Sequence, residues 1–270
     1  LFGTVMSDPL LQAADRLRTA LTTGIPCEPI RDLVSACDAE TGYAIQNINT
    51  ERWLQNGRRL AGRKIGLTSP AVQAQMGVDE PDFGMLFEDM QVGDGEIIEV
   101  GRLMQPRVEG EVAFVLAKDI VNTIDMHRVT AVIDHARVAA EIVDSRVADW
   151  QITIVDTVAD NASSGLYVLG EKKVKLSTLD FITGRMEIER RGQVCSAGSG
   201  AACLGHPLRA VVWLANMMVK MGRPLLAGDV VLSGAWGPLV PVKPGDEVEV
   251  RITGLGTVSA CFGSEAHGDE

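Results

Sequence analysis

The chain has 270 residues, 46% hydrophobic and 23% charged, an ordinary globular composition with enough length for a sizeable core. Asp and Glu number 36 against 25 Lys and Arg, a formal charge of -11 with no basic run, which argues against nucleic acid and anionic membranes as partners. No apolar run reads as membrane-spanning, and the five cysteines (27, 37, 195, 203 and 261) match no zinc, haem or disulfide spacing, so they read as reduced thiols of a cytoplasmic protein.

The first residues, LFGTVMSDPL, lack the pattern of a secretory signal, and Met6 reads as the natural start. Ser7 and Asp8 are caps for a predicted helix to about Thr23, with Leu10, Leu11, Ala14, Leu17 and Leu21 at helical spacing and Gly24 as its stop. A second helix is predicted from Asp38 to Gly57, so residues 1–58 read as an N-terminal helical cap. The segment 59–68 alternates as a strand, and Ser69-Pro70 opens a helix. The run 77-GVDEPDFGMLFEDM-90 has no period and reads as a loop. Strands are predicted over 96–100 and about 107–117, 140–145, 165–170, 184–195, 229–234, 246–252 and 256–262, with hairpin turns at 190-RRGQ-193 and 253-TGLG-256. Helices are predicted over 126–138, which would carry His127 and His135, and from His206-Pro207 to Gly222. Strands and helices do not alternate regularly. An α+β body over 59–270 is therefore expected rather than a doubly wound fold.

Several chemical motifs are absent. The stretch 57-GRRLAGRKI-65 has Arg63 where a phosphate loop needs Lys, and 198-GSGAACLG-205 is only loosely like a dinucleotide loop. No nucleophile elbow occurs, and His206 reads as a helix cap.

One stretch, 105-QPRVEGEVAFVLAKD-119, is harder to explain as mere structure. In a strand Glu109 and Glu111 share a face, about 6.6 Å apart along the backbone. Val108, Val112, Phe114 and Leu116 point the other way, into a core. Burying two like charges costs several kcal/mol unless a cation meets them. A third acid, Glu141, lies in the apolar stretch 139-AAEIVDSR-146. Three carboxylates from two strands suit a hard cation such as Mg²⁺ or Mn²⁺, which takes oxygen ligands. A solvated strand face is the commoner origin of such a pair, and the pattern alone leaves both readings open.

The motifs 62-GRKIGLTS-69, 77-GVDEPDFG-84, 105-QPRVEGEVAFVL-116, 141-EIVDSRVADW-150, 156-DTVADNASSG-165, 203-CLGHP-207 and 228-GDVVLSGAWGP-238, in order along the chain, resemble the 2-hydroxypenta-2,4-dienoate (2-oxopent-4-enoate) hydratases of the fumarylacetoacetate hydrolase superfamily. The resemblance implies an α+β fold with a mixed β-roll, an N-terminal helical lobe and assembly into homo-oligomers. It implies Mg²⁺ or Mn²⁺ on Glu109, Glu111 and Glu141. The implied substrate is a short 2-hydroxydienoate from meta-cleavage of aromatic rings, ketonised to a 2-oxo acid and then hydrated at C4. Lys64 is the first candidate catalytic residue, as a proton carrier or as the cation for the substrate carboxylate. Asp82 is the second, to activate water or move a proton. Their plain alternatives are a surface lysine and a turn-forming aspartate. Ser163 and Ser233 are candidates for hydrogen bonds to substrate, and Leu86, Phe87 and Trp236 for the distal pocket.

The 4-oxalocrotonate decarboxylases share most of these motifs and stand as the alternative. Asp82 in 81-PDFG-84 and the run 145-SRVADW-150 favour the hydratase. An acylpyruvate hydrolase would need a His-Glu dyad, and no His precedes the acidic motif, since the first is His127. From a different class, a non-catalytic partner of a pathway aldolase or decarboxylase is disfavoured by the intact Lys64 and three glutamates.

Overall fold

The computed structural model of the chain describes residues 8–264. Met6, Ser7 and His267 lie outside the described residues. The helices are α1 (Pro9–Thr23), α2 (Ala39–Gln55), α3 (Pro70–Met76), α4 (Ile154–Ala159) and α5 (Pro207–Lys220). The strands are β1 (Leu60–Gly66), β2 (Asp82–Phe87), β3 (Gln91–Val92), β4 (Ile97–Ile98), β5 (Arg107–Leu116), β6 (Ile133–Val143), β7 (Ser164–Leu169), β8 (Arg185–Arg190), β9 (Gln193–Ser199), β10 (Val230–Leu232), β11 (Val240–Pro241), β12 (Glu247–Ile252) and β13 (Gly256–Phe262).

Helix α1 starts where Asp8 accepts the Leu10 amide and stops at Gly24, whose φ of 69° is left-handed. Asp38 caps α2 by accepting the Thr41 amide. Apolar residues of the two helices (Ala13, Ala14, Leu17 and Ile45) pack with Ile30, Val147, Val155 and Ala159 into a small core of their own. The helical lobe is thus completed by chain from beyond residue 58. Cys27 donates its amide to Arg146 O at 2.8 Å, and Ala148 donates to Cys27 O at 2.9 Å. Buried Asp156 accepts the Ile30 amide at 2.9 Å and pairs with Arg31 at 2.5 Å.

The larger sheet runs β2-β1-β10-β5-β6-β7-β3, with β11 also on β5. It is mixed: β1 pairs parallel with β10, and β3 with β7, while the other pairings are antiparallel. The second sheet runs β4-β13-β12-β8-β9. Val108, Val112 and Phe114 of β5 share the main core with Met186, Ile188, Val248 and Val250 of the second sheet. Between the sheets Gly110 has no room for a side chain, because a Cβ there would lie 2.7 Å from Met186 Sδ and 2.9 Å from Val250 Cγ1.

The larger sheet is rolled. On a flat sheet β2 and β7 would be far apart, yet a Cβ on Gly84 of β2 would lie 2.5 Å from Ser164 Oγ of β7. The face inside the roll carries Lys64 and Asp82 from one flank and Glu109, Glu111 and Glu141 from the other.

Two elements depart from the sequence expectation. The supposed loop 77–90 contains β2, every residue of which is buried. A strand buried on both faces shows no alternation, so its pattern looks irregular. The predicted helix 126–138 is a short 3₁₀ turn, Val129–Val132, followed by the start of β6, which places His135 on a strand. Pairing with β5 on one side and a bridge from Ala136 to Val174 on the other override the local helical spacing. Segment 184–195 agrees with its expected hairpin turn at 190–193, as β8 and β9. Contrary to the reading of no long apolar run, Gly200–Lys220 is long and apolar enough to cross a membrane by length and composition. A turn with positive φ at Leu204 and Gly205 interrupts it. Its α5 part buries Leu208, Val211, Leu214, Ala215 and Met218 in the core. His206 caps α5 as expected, its Nδ1 accepting the Leu208 amide at 3.1 Å.

Candidate active site

Antiparallel register sets Glu109 of β5 directly opposite Glu141 of β6, with Glu111 opposite Ala139. The three carboxylates therefore share one face, and an oxygen from each lies within 4.8 Å of the others. Glu111 and Glu141 are buried, while Glu109 is partly exposed and marks the open side. Glu111 Oε2 accepts the Gly234 amide at 2.8 Å. Its Oε1 and both oxygens of Glu141 are buried without a hydrogen-bond partner.

Lys64 reaches this cluster from β1. Its Nζ lies 3.0 Å from Glu141 Oε1, an ion pair whose alignment falls short of a hydrogen bond, and Glu141 Oε2 has neither an ion-pair nor a hydrogen-bond partner. Asp82 sits opposite Gly66 on the β1–β2 ladder, and its Oδ1 is buried and unpartnered. A Cβ on Gly66 would lie 2.3 Å from Asp82 Oδ1 and 3.4 Å from Lys64 Nζ, so both side-chain ends lie over that glycine.

Burial and crowding shift Glu109, Glu111 and Asp82 in one direction. Burial pushes Glu109 up to about 7, helped by the charge of Glu141 and opposed by Lys64. Burial, with Glu141 and Glu109 beside it, raises Glu111 well above the usual carboxylate range. Asp82 is pushed up to about 6 by burial, against the pull of Lys64. For Lys64 burial acts to lower the value, but Glu141, Asp82, Glu109 and Glu111 together outweigh it and keep the amine charged. Three buried carboxylates and the partly exposed Glu109 thus share one ammonium. The donors are all oxygen, several are unpartnered, and the negative excess suits a hard divalent cation.

The two serine hydroxyls hydrogen-bond within the fold rather than to the carboxylates. Ser163 Oγ lies 3.1 Å from Thr157 Oγ1. Ser233 Oγ accepts the Val112 amide at 3.3 Å and donates to Gly234 O at 3.2 Å, tying the end of β10 to β5. Of the distal-pocket candidates, Leu86 is on the Asp82 face of β2. Phe87 packs edge-on against Trp53 with ring centroids 5.5 Å apart, and the Trp236 ring packs against Gly184 and Gly200. Sequence reasoning missed Gly66 and Gly234. At Gly234, φ is 98° and a Cβ would lie 2.4 Å from Thr68 Cγ2, so glycine is required for its amide to reach Glu111. The only local signal was glycine beside each proposed site residue, in 64-KIG-66 and 233-SGA-235.

Residues 61–262, which carry all five of these charged groups, match the family model for the fumarylacetoacetate (FAA) hydrolase C-terminal domain. The chain belongs to the fumarylacetoacetate hydrolase family. Within that family it is 56% identical over 254 residues to 2-keto-4-pentenoate hydratase 1 of Dechloromonas aromatica, covering 93% of this chain and 95% of that protein. It is 52% identical over 254 residues to 2-keto-4-pentenoate hydratase of Paraburkholderia xenovorans, covering 94% of each. Among solved family members, 4-oxalocrotonate decarboxylase from Pseudomonas putida G7, complexed with magnesium and adipate, superposes with a TM-score of 0.89 at 32% identity, over 96% of this chain and 99% of that one.

Proposed function

We propose that the chain is a metal-dependent 2-keto-4-pentenoate hydratase of aromatic meta-cleavage. It would take 2-hydroxypenta-2,4-dienoate or a close homologue to 4-hydroxy-2-oxopentanoate. The observation that carries this reading is the set of three convergent carboxylates with unpartnered buried oxygens, placed beside Lys64 and Asp82. Glu109, Glu111 and Glu141 would hold Mg²⁺ or Mn²⁺. When bound, the ion supplies Lewis-acid polarisation of the substrate's 2-oxo group.

The chain's own residues supply the rest. Lys64, held charged by its acidic neighbours, is suited to bind the substrate carboxylate or to donate a proton rather than to act as a base. Asp82, near 6, can hold or release a proton close to neutral pH. Ketonisation needs a proton delivered at C5, and conjugate hydration needs water delivered at C4 with a proton at C3. Asp82 is the group we assign to proton movement. Ser163 and Ser233 support the site through the backbone they fix. The buried walls of the roll exclude bulk water, which strengthens each of these electrostatic contacts.

Identity favours the hydratase, at 56% against 32% for the decarboxylase. The same reading makes the protein a cytoplasmic homo-oligomer able to meet a pathway aldolase or decarboxylase. A non-catalytic partner would not need Lys64, Asp82 and the three glutamates in one place. The deciding assay follows the ultraviolet absorbance of 2-hydroxypenta-2,4-dienoate with and without Mg²⁺ or Mn²⁺, identifies the product, and measures CO₂ release from 4-oxalocrotonate in parallel. Rapid CO₂ release without hydration of the dienoate would replace this reading with the decarboxylase.

A further inference from the structure

Strand β2 carries Asp82 and is the edge of the larger sheet, so the polar backbone groups on its outer side have no neighbouring strand. Unpaired groups of that kind are costly when buried. At Phe83 and Met85 side chains take the strand's place. Phe83 donates its amide to Tyr43 Oη at 3.3 Å, and Gln46 Nε2 donates to Phe83 O at 3.0 Å. The same Gln46 nitrogen donates to Val158 O of α4 at 3.0 Å. Asn161 is bidentate on Met85, its Oδ1 accepting the amide at 2.7 Å and its Nδ2 donating to the carbonyl at 2.9 Å. Gln46 and Asn161 are both buried.

Asn161 is held in place by an unusual local conformation. Asn161, Ala162 and Ser163 have φ of 56°, 51° and 53°, three consecutive left-handed residues, of which only asparagine is at home there. Strain of this sort persists only where the surroundings enforce it. Here Ser164 Oγ donates to Asn161 O at 2.7 Å and the Ser163 amide donates to Asp160 O at 3.0 Å. Gly84 lies flat on the turn, since a Cβ there would lie 2.3 Å from Asn161 O.

We infer that Gln46 and Asn161 are positioning residues that latch the free edge of β2, closing the roll and setting Asp82 over the carboxylate cluster. This inference rests on the role given to Asp82 above. The carboxylates themselves stand on β5 and β6, whose mutual ladder does not involve the latch. Loosening it should therefore move Asp82 without touching the three glutamates. Because Phe83 and Met85 follow Asp82 within three residues, a slack latch displaces that carboxyl first.

The test uses the full chain. Asn161→Gly keeps the left-handed backbone and removes only the amide. Gln46→Met keeps the length and removes the donor, and probes the latch from a different element should the first variant fold poorly. Each is expected to lower kcat on the order of 10- to 100-fold, the scale of an ångström misplacement, with Mn²⁺ affinity within about twofold of the parent. Combined with Asp82→Asn, neither should lower kcat beyond Asp82→Asn alone, because residues acting as one unit are not additive. Amide exchange should quicken at Phe83 and Met85 and stay unchanged in β5 and β6. Full additivity with an impaired Asp82→Asn, or unaltered exchange at Phe83 and Met85, overturns the latch. Wild-type activity in Asp82→Asn overturns instead the role of Asp82, and with it any positioning of that residue. Loss of Mn²⁺ affinity in step with kcat would mark Asn161 as a general structural residue and overturn the inference as well.

Discussion

Lys64 Nζ and Glu141 Oε1 lie 3.0 Å apart although their strands are separated in the sheet by β10 and β5. A flat sheet would hold those two backbones about 14 Å apart. Rolling is what turns residues distant in sequence into one buried, electrically unbalanced site.

Removing one ligand should separate metal binding from folding. Glu111→Gln is expected to cut metal-dependent turnover by about 100-fold or more, since it removes part of the grip on the ion. The EDTA-treated variant should melt no lower than the parent, because a neutral amide replaces a buried carboxyl with one unpartnered oxygen. Turnover and melting curves with and without Mn²⁺ check both halves, and wild-type activity in EDTA would refute the assignment.

Stability should depend on pH in a direction set by the acids. Glu109 is raised to about 7 from an ordinary 4.5, and Glu111 is raised too. The folded metal-free chain therefore keeps protons that the unfolded chain releases, so its stability is greatest below about 4.5 as far as Glu109 is concerned and falls as pH rises to about 7. Cation binding displaces those protons, so Mg²⁺ should raise the melting temperature more at about pH 8 than at about pH 5.5. An equal or smaller rise at the higher pH would contradict the burial-driven shifts.

Lys64→Met should be damaging twice over. It leaves Glu141 buried without its ion pair, a loss of about 3–5 kcal/mol by analogy with other buried pairs, and it removes the site's ammonium. The destabilisation should be larger in EDTA than with Mn²⁺, which replaces part of the lost positive charge. Denaturant titrations under both conditions measure the difference.

Gly66→Ala tests geometry alone, as Gly66 is not among the residues with positive φ. A methyl there would press on Asp82 Oδ1, at 2.3 Å, and only touch Lys64 Nζ, at 3.4 Å. We expect kcat to fall on the order of 100-fold with Mn²⁺ affinity retained, measured by steady-state kinetics and calorimetry. Unchanged kcat would show that these two groups need not be held where they are.

Legibility in the sequence followed the range of the forces involved. The first two helices, α5, the hairpin turns and the acidic strand were readable because caps, glycine stops and alternation are local signals. The strand β2 was not, since burial of all its residues erases alternation. The start of β6 was misread because its helical spacing is real but loses to the ladder with β5 and the bridge from Ala136 to Val174. Asp82 was singled out from a supposed loop, whereas it stands at the head of a buried strand with a defined partner in Gly66. Ser163 and Ser233 were singled out for their hydroxyls, and those are engaged within the fold.

By itself, the sequence determined that Glu109 and Glu111 must face the same way, because side chains two apart in a strand always do. It determined equally which segments could cap, turn or fill a core. Tertiary structure alone decided that Glu141 stands opposite Glu109, that Lys64 closes over them, and that two buried amides finish the edge of β2. Those are matters of strand register and of how tightly a sheet curls. Both arise from packing among residues far apart along the chain, where no local pattern records the outcome.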